Sequence, residues 1–160
     1  MKLAESLAVL EESKAFKSWN RGDYYLVHYF QMTGQPPQFG FYNDSTRKMV
    51  CFEMYDEPSM LPESDVFSED GGPLKAFDAG QVFVDIADAL NIARKLALEK
   101  YPHETVDKEI LVLQNNDGYT YTITLVTRSI RMINMKVSAE SGEVRSYGMH
   151  SLMDLGGPLQ

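Results

Sequence analysis

The residues with the widest chemical repertoire in this 160-residue chain are three histidines and one cysteine, and their spacing decides what they can do. His28, His103 and His150 are far apart, with no His-x-x-x-His pair and no Cys-x-x-Cys. The sequence therefore offers no zinc-ligand set, and neither metal nor cofactor is expected. His28 lies inside an apolar run and reads as a hydrogen-bonded structural residue, whereas His103 follows Pro102 and reads as solvated. Cys51 is alone in another apolar run, which excludes an internal disulfide framework and suits a reducing compartment. Asp85 and Asp88 are spaced for paired-carboxylate chemistry, but they open a helical pattern, where capping and the helix dipole account for both. Glu63, Asp65, Glu69 and Asp70 offer oxygen ligands without the spacing or the glycine of an EF-hand loop. There is no Gly-x-Ser-x-Gly elbow, phosphate-binding glycine loop or dinucleotide fingerprint. The expectation is a protein that is not an enzyme, with no catalytic residue to name.

Two groups of residues remain as candidate surfaces. Along Tyr119 to Thr127, alternation turns Tyr121, Ile123 and Leu125 one way and Thr120, Thr122 and Thr124 the other. The threonines adjoin Asn134, Lys136 and Arg145 of the following hairpin, giving a polar sheet face that is either simply solvated or a partner-binding surface. The alternative site is a pocket lined by Tyr25, His28 and Tyr29, suited to a small molecule or a concealed reaction.

The elements that must position these residues follow from periodicity. Leu3, Leu7 and Leu10 share one helical stripe, while Ala15, Phe16 and Trp19 form another half a turn away, which predicts a break near Glu12-Ser13. Gly22 is placed to end that helix. Tyr24 to Phe30 is apolar on both alternating sets and reads as an interior strand covered on two sides. A second strand through Phe39-Gly40-Phe41-Tyr42 turns at Asn43-Asp44-Ser45 into a third, Met49 to Tyr55. Residues 56–80, with Pro58, Pro62 and Gly71-Gly72-Pro73, have the composition of a loop, pinned if at all by Val66-Phe67 and Leu74-Phe77. Asp85 caps the best helix, whose Ile86, Ala89, Leu90, Ala93, Leu96 and Ala97 share one side, and Pro102 ends it. Ile110-Leu111-Val112-Leu113, the turn Asn116-Asp117-Gly118 and Tyr119 to Thr127 form a hairpin. Another pairs Ile133 to Val137 with Val144 to Met149.

Charge sharpens the division. The net charge of −8 is spread so that residues 1–55 sum to zero, residues 81–160 to −2 and residues 56–80 to −6. The acidity is thus expected in a connection rather than on a folded face. No basic cluster suits nucleic acid, so that partner is not expected. The start of the sequence does not read as a signal peptide, and charges interrupt every apolar run before membrane-spanning length, so a cytoplasmic protein with no membrane partner is expected. The domain reading is 1–55, a connector at 56–80, 81–150, and a tail at 151–160, within one compact unit.

Both halves run helix, strand, turn, strand, and Tyr42 to Met49 aligns by eye with Val137 to Val144, suggesting an internal repeat. Ala89-Leu90-Asn91-Ile92-Ala93, Tyr101-Pro102 and Val137-Ser138-Ala139-Glu140-Ser141-Gly142-Glu143-Val144 together give residues 84–148 the look of a known family: this stretch resembles the PepSY domain. The last segment is similar to that family's strand–turn–strand pattern, with Ser138 and Ser141 standing where aspartate and threonine are usual. The resemblance implies a helix packed on a curved antiparallel sheet of cystatin-like type, and a non-catalytic role of the kind proposed for regulation of peptidases. The expected fold class is therefore α+β, two helix-plus-antiparallel-sheet halves. The leading functional expectation is a binding or regulatory module recognising an unidentified protein or peptide through a sheet face or edge. Its rivals are a cystatin-like cone with an internal pocket and a structural homodimeric subunit.

Overall fold

A serine breaks the first helix. Helix α1 (Leu3–Glu12) stops where Ser13 takes an extended conformation, its hydroxyl donating to the Leu10 carbonyl at 2.6 Å and accepting from Phe16 N–H at 3.3 Å. Ser13 thus ends α1 and caps α2 (Lys14–Ser18) in one step, which lets the two apolar stripes face the same core. The break stands where the change of stripe places it. The helix ends earlier than Gly22, however: Trp19 is the C-cap, and Gly22, at φ +53°, belongs to the turn leading into the sheet.

The computed structural model describes residues 2–66 and 73–151. The strands are β1 (Tyr25–Met32), β2 (Gln38–Asn43), β3 (Lys48–Glu53), β4 (Ser59–Met60), β5 (Ser64–Asp65), β6 (Val106–Asn115), β7 (Tyr119–Thr127), β8 (Arg131–Ser138) and β9 (Val144–Ser151). They make one nine-stranded sheet in the order β4-β3-β2-β1-β6-β7-β8-β9, with β5 also on β3, and every pairing is antiparallel. The two halves meet through β1 and β6, where Tyr29 stands opposite Leu113 and Gln31 opposite Leu111. Helix α3 (Ile86–Lys100) connects the halves and is capped by Asp85, which accepts from Asp88 N–H at 3.2 Å.

Register shows that all three helices lie on one face. Tyr29 is opposite both Phe39 and Leu113, Leu113 is opposite Tyr121, and Tyr121 is opposite Val137, so these side chains share a face. Phe41 and Phe52 belong to the same face through the β2–β3 pairing. Phe16 of α2 packs its ring 5.6 Å from each of them, and Trp19 sits 5.4 and 5.2 Å away. Helix α3 packs on β7 and β8, burying Ala89, Leu90, Ala93 and Ala97. Leu111, Leu113, Tyr121, Ile123, Leu125, Ile133, Met135 and Val137 complete one core beneath the helices. The opposite, outer face carries no helix among the described residues.

Two expectations are corrected here. Strand β1 is interior to the sheet, but it is not covered on both sides: His28, Phe30 and Met32 are only partly buried on the outer face. The connector is not simply a loop either. Its first part supplies β4 and β5 along β3, and Glu63 accepts from the Tyr24 hydroxyl and pairs with Lys48 at 3.6 Å. Its last part returns to the body through buried Phe77, whose N–H donates to the Leu26 carbonyl at 3.1 Å. Glu63 and Asp65 therefore lie along a folded edge. Phe67, Glu69, Asp70, Gly71 and Gly72 fall outside the described residues, as do positions 152–160 of the expected tail. The halves are also unequal, with three long strands in the first and four in the second.

Candidate functional site

On the outer face, side chains from successive strands line up in rows set by the register. One row runs Phe30, Val112, Thr122, Lys136, Ser146, and the next runs Met32, Ile110, Thr124, Asn134, Gly148. At its β1–β6 end this face is apolar. At its β7–β9 end it is polar, and there it is indented, because Gly148 contributes no side chain to its row. The hollow has a volume of about 510 Å³, and Thr122, Asn134, Lys136, Ser146 and His150 stand around it. A glycine inside a strand removes packing and leaves room for close approach.

The hydrogen-bonding state of these groups sets what the hollow can do. Thr124 donates its hydroxyl to Asn134 Oδ1 at 2.9 Å, which holds the amide oxygen and leaves the Nδ2 group facing outward as a donor. Among the described residues, Thr122, Lys136, Ser146 and His150 have no side-chain hydrogen bond or ion pair. One ammonium, two hydroxyls, an amide and an imidazole therefore converge on a concavity with no carboxylate in its lining. Arg145 lies at the bulge in the β8–β9 pairing, and its Nη1 donates to Thr120 Oγ1 at 3.1 Å. Thr120 is buried and its hydroxyl donates to the Gly118 carbonyl at 3.0 Å, so it supports the face without being presented on it.

Of the six predicted residues, the structure places Thr122, Thr124, Asn134 and Lys136 on this one face, three of them lining the hollow, with Thr120 buried behind it and Arg145 at its bulge. Sequence reasoning did not include Ser146, Gly148 and His150. Their alternation on β9, with a glycine in mid-strand, was the available signal.

The alternative trio does not form one pocket. A bulge between Leu26 and His28 puts Tyr25 and His28 on the outer face, while Tyr29 points into the helix-covered core. Tyr25 donates to the Leu74 carbonyl at 2.7 Å, and Tyr29 donates to Gln31 Oε1 at 2.7 Å. His28 has no side-chain hydrogen bond among the described residues, which corrects the expectation of a hydrogen-bonded histidine. Burial instead pushes its pKa down to about 4, so the ring is neutral at ordinary pH. Burial likewise raises the Cys51 thiol, the opposite of what a reactive cysteine needs. No three of the His, Cys, Asp and Glu residues described converge as a metal site, and no described helix is long and apolar enough to cross a membrane.

The fold just described is an antiparallel sheet with helices on one side. Residues 84–147, which span α3 to β9, match the PepSY family, described as "Peptidase propeptide and YPEB domain". The similarity to a PepSY domain thus lies in the second half of the chain. No curated protein sequence matches it. Among solved structures it is similar to a putative lipoprotein from Clostridium difficile 630, with a TM-score of 0.59 and 13% identity over 94% of this chain and 93% of that one. At that identity the likeness shows a shared fold, and it extends that fold over both halves.

Proposed function

We propose that this protein is a non-catalytic binding or regulatory module that recognises a protein or peptide through the outer face of its sheet, at the β7–β9 end. The observation that carries this reading is the one-sided cover of the sheet. All described helices pack on one face, and on the other a hollow collects donors that no described residue uses. An antiparallel sheet tolerates water on one side, so a bare face needs no ligand; a dent lined by converging donors is the added feature. The family description, which names peptidase propeptides, supports a role exerted on another protein.

Gly148→Leu tests the reading by filling the hollow. A Cβ at this position meets only His150 Nε2, at 3.9 Å, so a side chain starts here without a clash and extends toward the hollow. The variant is expected to keep its melting temperature, or to gain slightly from the stiffer strand. It should lose the partners that the wild-type chain captures from its native cell extract. A control, Lys95→Glu on the exposed side of α3, should retain them. Capture kept by Gly148→Leu and lost by Lys95→Glu would place recognition on the helices instead.

A further inference from the structure

The charges on the outer face do not follow those of the whole chain. The chain carries a net charge of −8. Yet on strands β6 to β9 the ionised residues whose register places them on the outer face are Lys108 and Lys136, joined by Arg145 at its bulge. Asp107 is the extra residue of the β6 bulge, and Glu109 turns to the helix side, where it takes two hydrogen bonds from Arg94 at 2.5 and 2.6 Å. Glu140 stands near Arg145 at the turn, both within 4 Å of where a Cβ of Gly118 would sit. Arg145 is thereby partly offset. Lys136 has no ion pair among the described residues, and it borders the hollow.

We propose that this hollow seats a carboxylate of an extended acidic peptide segment, which adds to the sheet along β9; the inference rests on the binding-module reading above. Three observations carry it. Lys136 supplies one uncompensated positive charge, while Asn134, Ser146 and Thr122 supply neutral donors beside it, the combination that stabilises a single carboxylate. Strand β9 ends the sheet, and no described strand pairs with its outer side, so its backbone is available to an added strand. Gly148 leaves the space through which a side chain on such a strand, about 4.8 Å from β9, leans over the face toward Lys136. In this mode backbone pairing supplies affinity, and the hollow selects acidic side chains at alternate positions. Lys136, the one Lys or Arg among the described residues lining the hollow, matches a carboxylate better than a nucleic-acid backbone, whose binding needs several clustered bases.

The probe is a dye-labelled, terminally blocked peptide alternating threonine and glutamate, compared with one carrying lysine for every glutamate. The glutamate peptide is expected to bind the full chain, weakening as salt is added, and to shift the amide resonances of Ser146, Gly148 and His150. The lysine peptide should not bind. Lys136→Ala should weaken binding roughly threefold or more and Lys136→Glu roughly tenfold or more. Gly148→Leu should abolish it. Equal binding of both peptides, binding unchanged by Lys136→Glu, or tighter binding of a single-stranded oligonucleotide or phosphatidylserine vesicles would each overturn the proposal. If the glutamate peptide does not bind while Gly148→Leu still abolishes partner capture, the carboxylate assignment fails and the binding face stands. If Gly148→Leu leaves partner capture intact while the glutamate peptide binds through Lys136, the carboxylate site stands and the binding-module reading is the one that fails.

Discussion

The ring of His28 occupies the space that a side chain at residue 40 would take. A Cβ built on Gly40 would come within 2.1 Å of the imidazole Cε1, and the backbone of Gly40 has no left-handed strain that would otherwise demand glycine. Gly40→Ala should therefore cost about 1–3 kcal/mol by overpacking. The loss should shrink when His28→Ala is made in the same chain, as a double-mutant cycle in urea would show. Burial also gives His28 a pH signature. Its pKa falls from the usual 6.5 to about 4, so the unfolded chain binds this proton more readily than the native one. Stability should decline as pH drops through that window, by on the order of 3 kcal/mol, and then level off below it. His28→Gln should flatten that part of the profile. Sequence alone registers a histidine among apolar neighbours, and it missed this arrangement because the glycine that makes room comes from the next strand, at a position only the register reveals.

At the scale of the element, β7 was the most legible part of the chain. Its bounds, Tyr119–Thr127, and its two faces follow from strict alternation of large apolar residues with threonine, and Tyr121, Ile123 and Leu125 are fully buried. Ile123→Ala should lower the unfolding free energy by about 2–5 kcal/mol. Thr122 is different, because it stands directly opposite Lys136 on the outer face. Thr122→Glu should be more stable than Thr122→Lys by about 0.2–1 kcal/mol, since opposite charges attract across paired strands and like charges repel. Equal stability of the two would place the residue-122 and residue-136 side chains out of reach of one another. Helix α3 was read as well as β7, its apolar stripe and its Asp85 cap both being local patterns. The end of α2 was not, for Gly22 marks a turn and nothing in the sequence distinguishes a turn glycine from one that terminates a helix.

The whole molecule is organised by a pairing that no local pattern announces. Strand β1 joins β6 across a separation of about half the chain, turning two halves into one sheet. Sequence reading supplied the two helix-and-hairpin units and the family-like pattern of the second, but not the seam. It therefore placed the acidic residues 56–80 on a free connector, where the structure docks β4 and β5 against the far edge of the same sheet. It also read β1 as covered on two sides, where the structure covers only one. The candidate face was half legible for the same reason: the threonine row is visible on β7, while its extension over β8 and β9 depends on register. One sheet with all its described helices on one side is what gives the outer face its place in the functional proposal. The most direct test installs a photoreactive amino acid at Thr124, on the outer face, or at Lys95, exposed on α3, and irradiates each protein in native extract. Covalent adducts are predicted from position 124 and not from position 95; adducts from position 95 alone, or from both positions equally, would contradict the account.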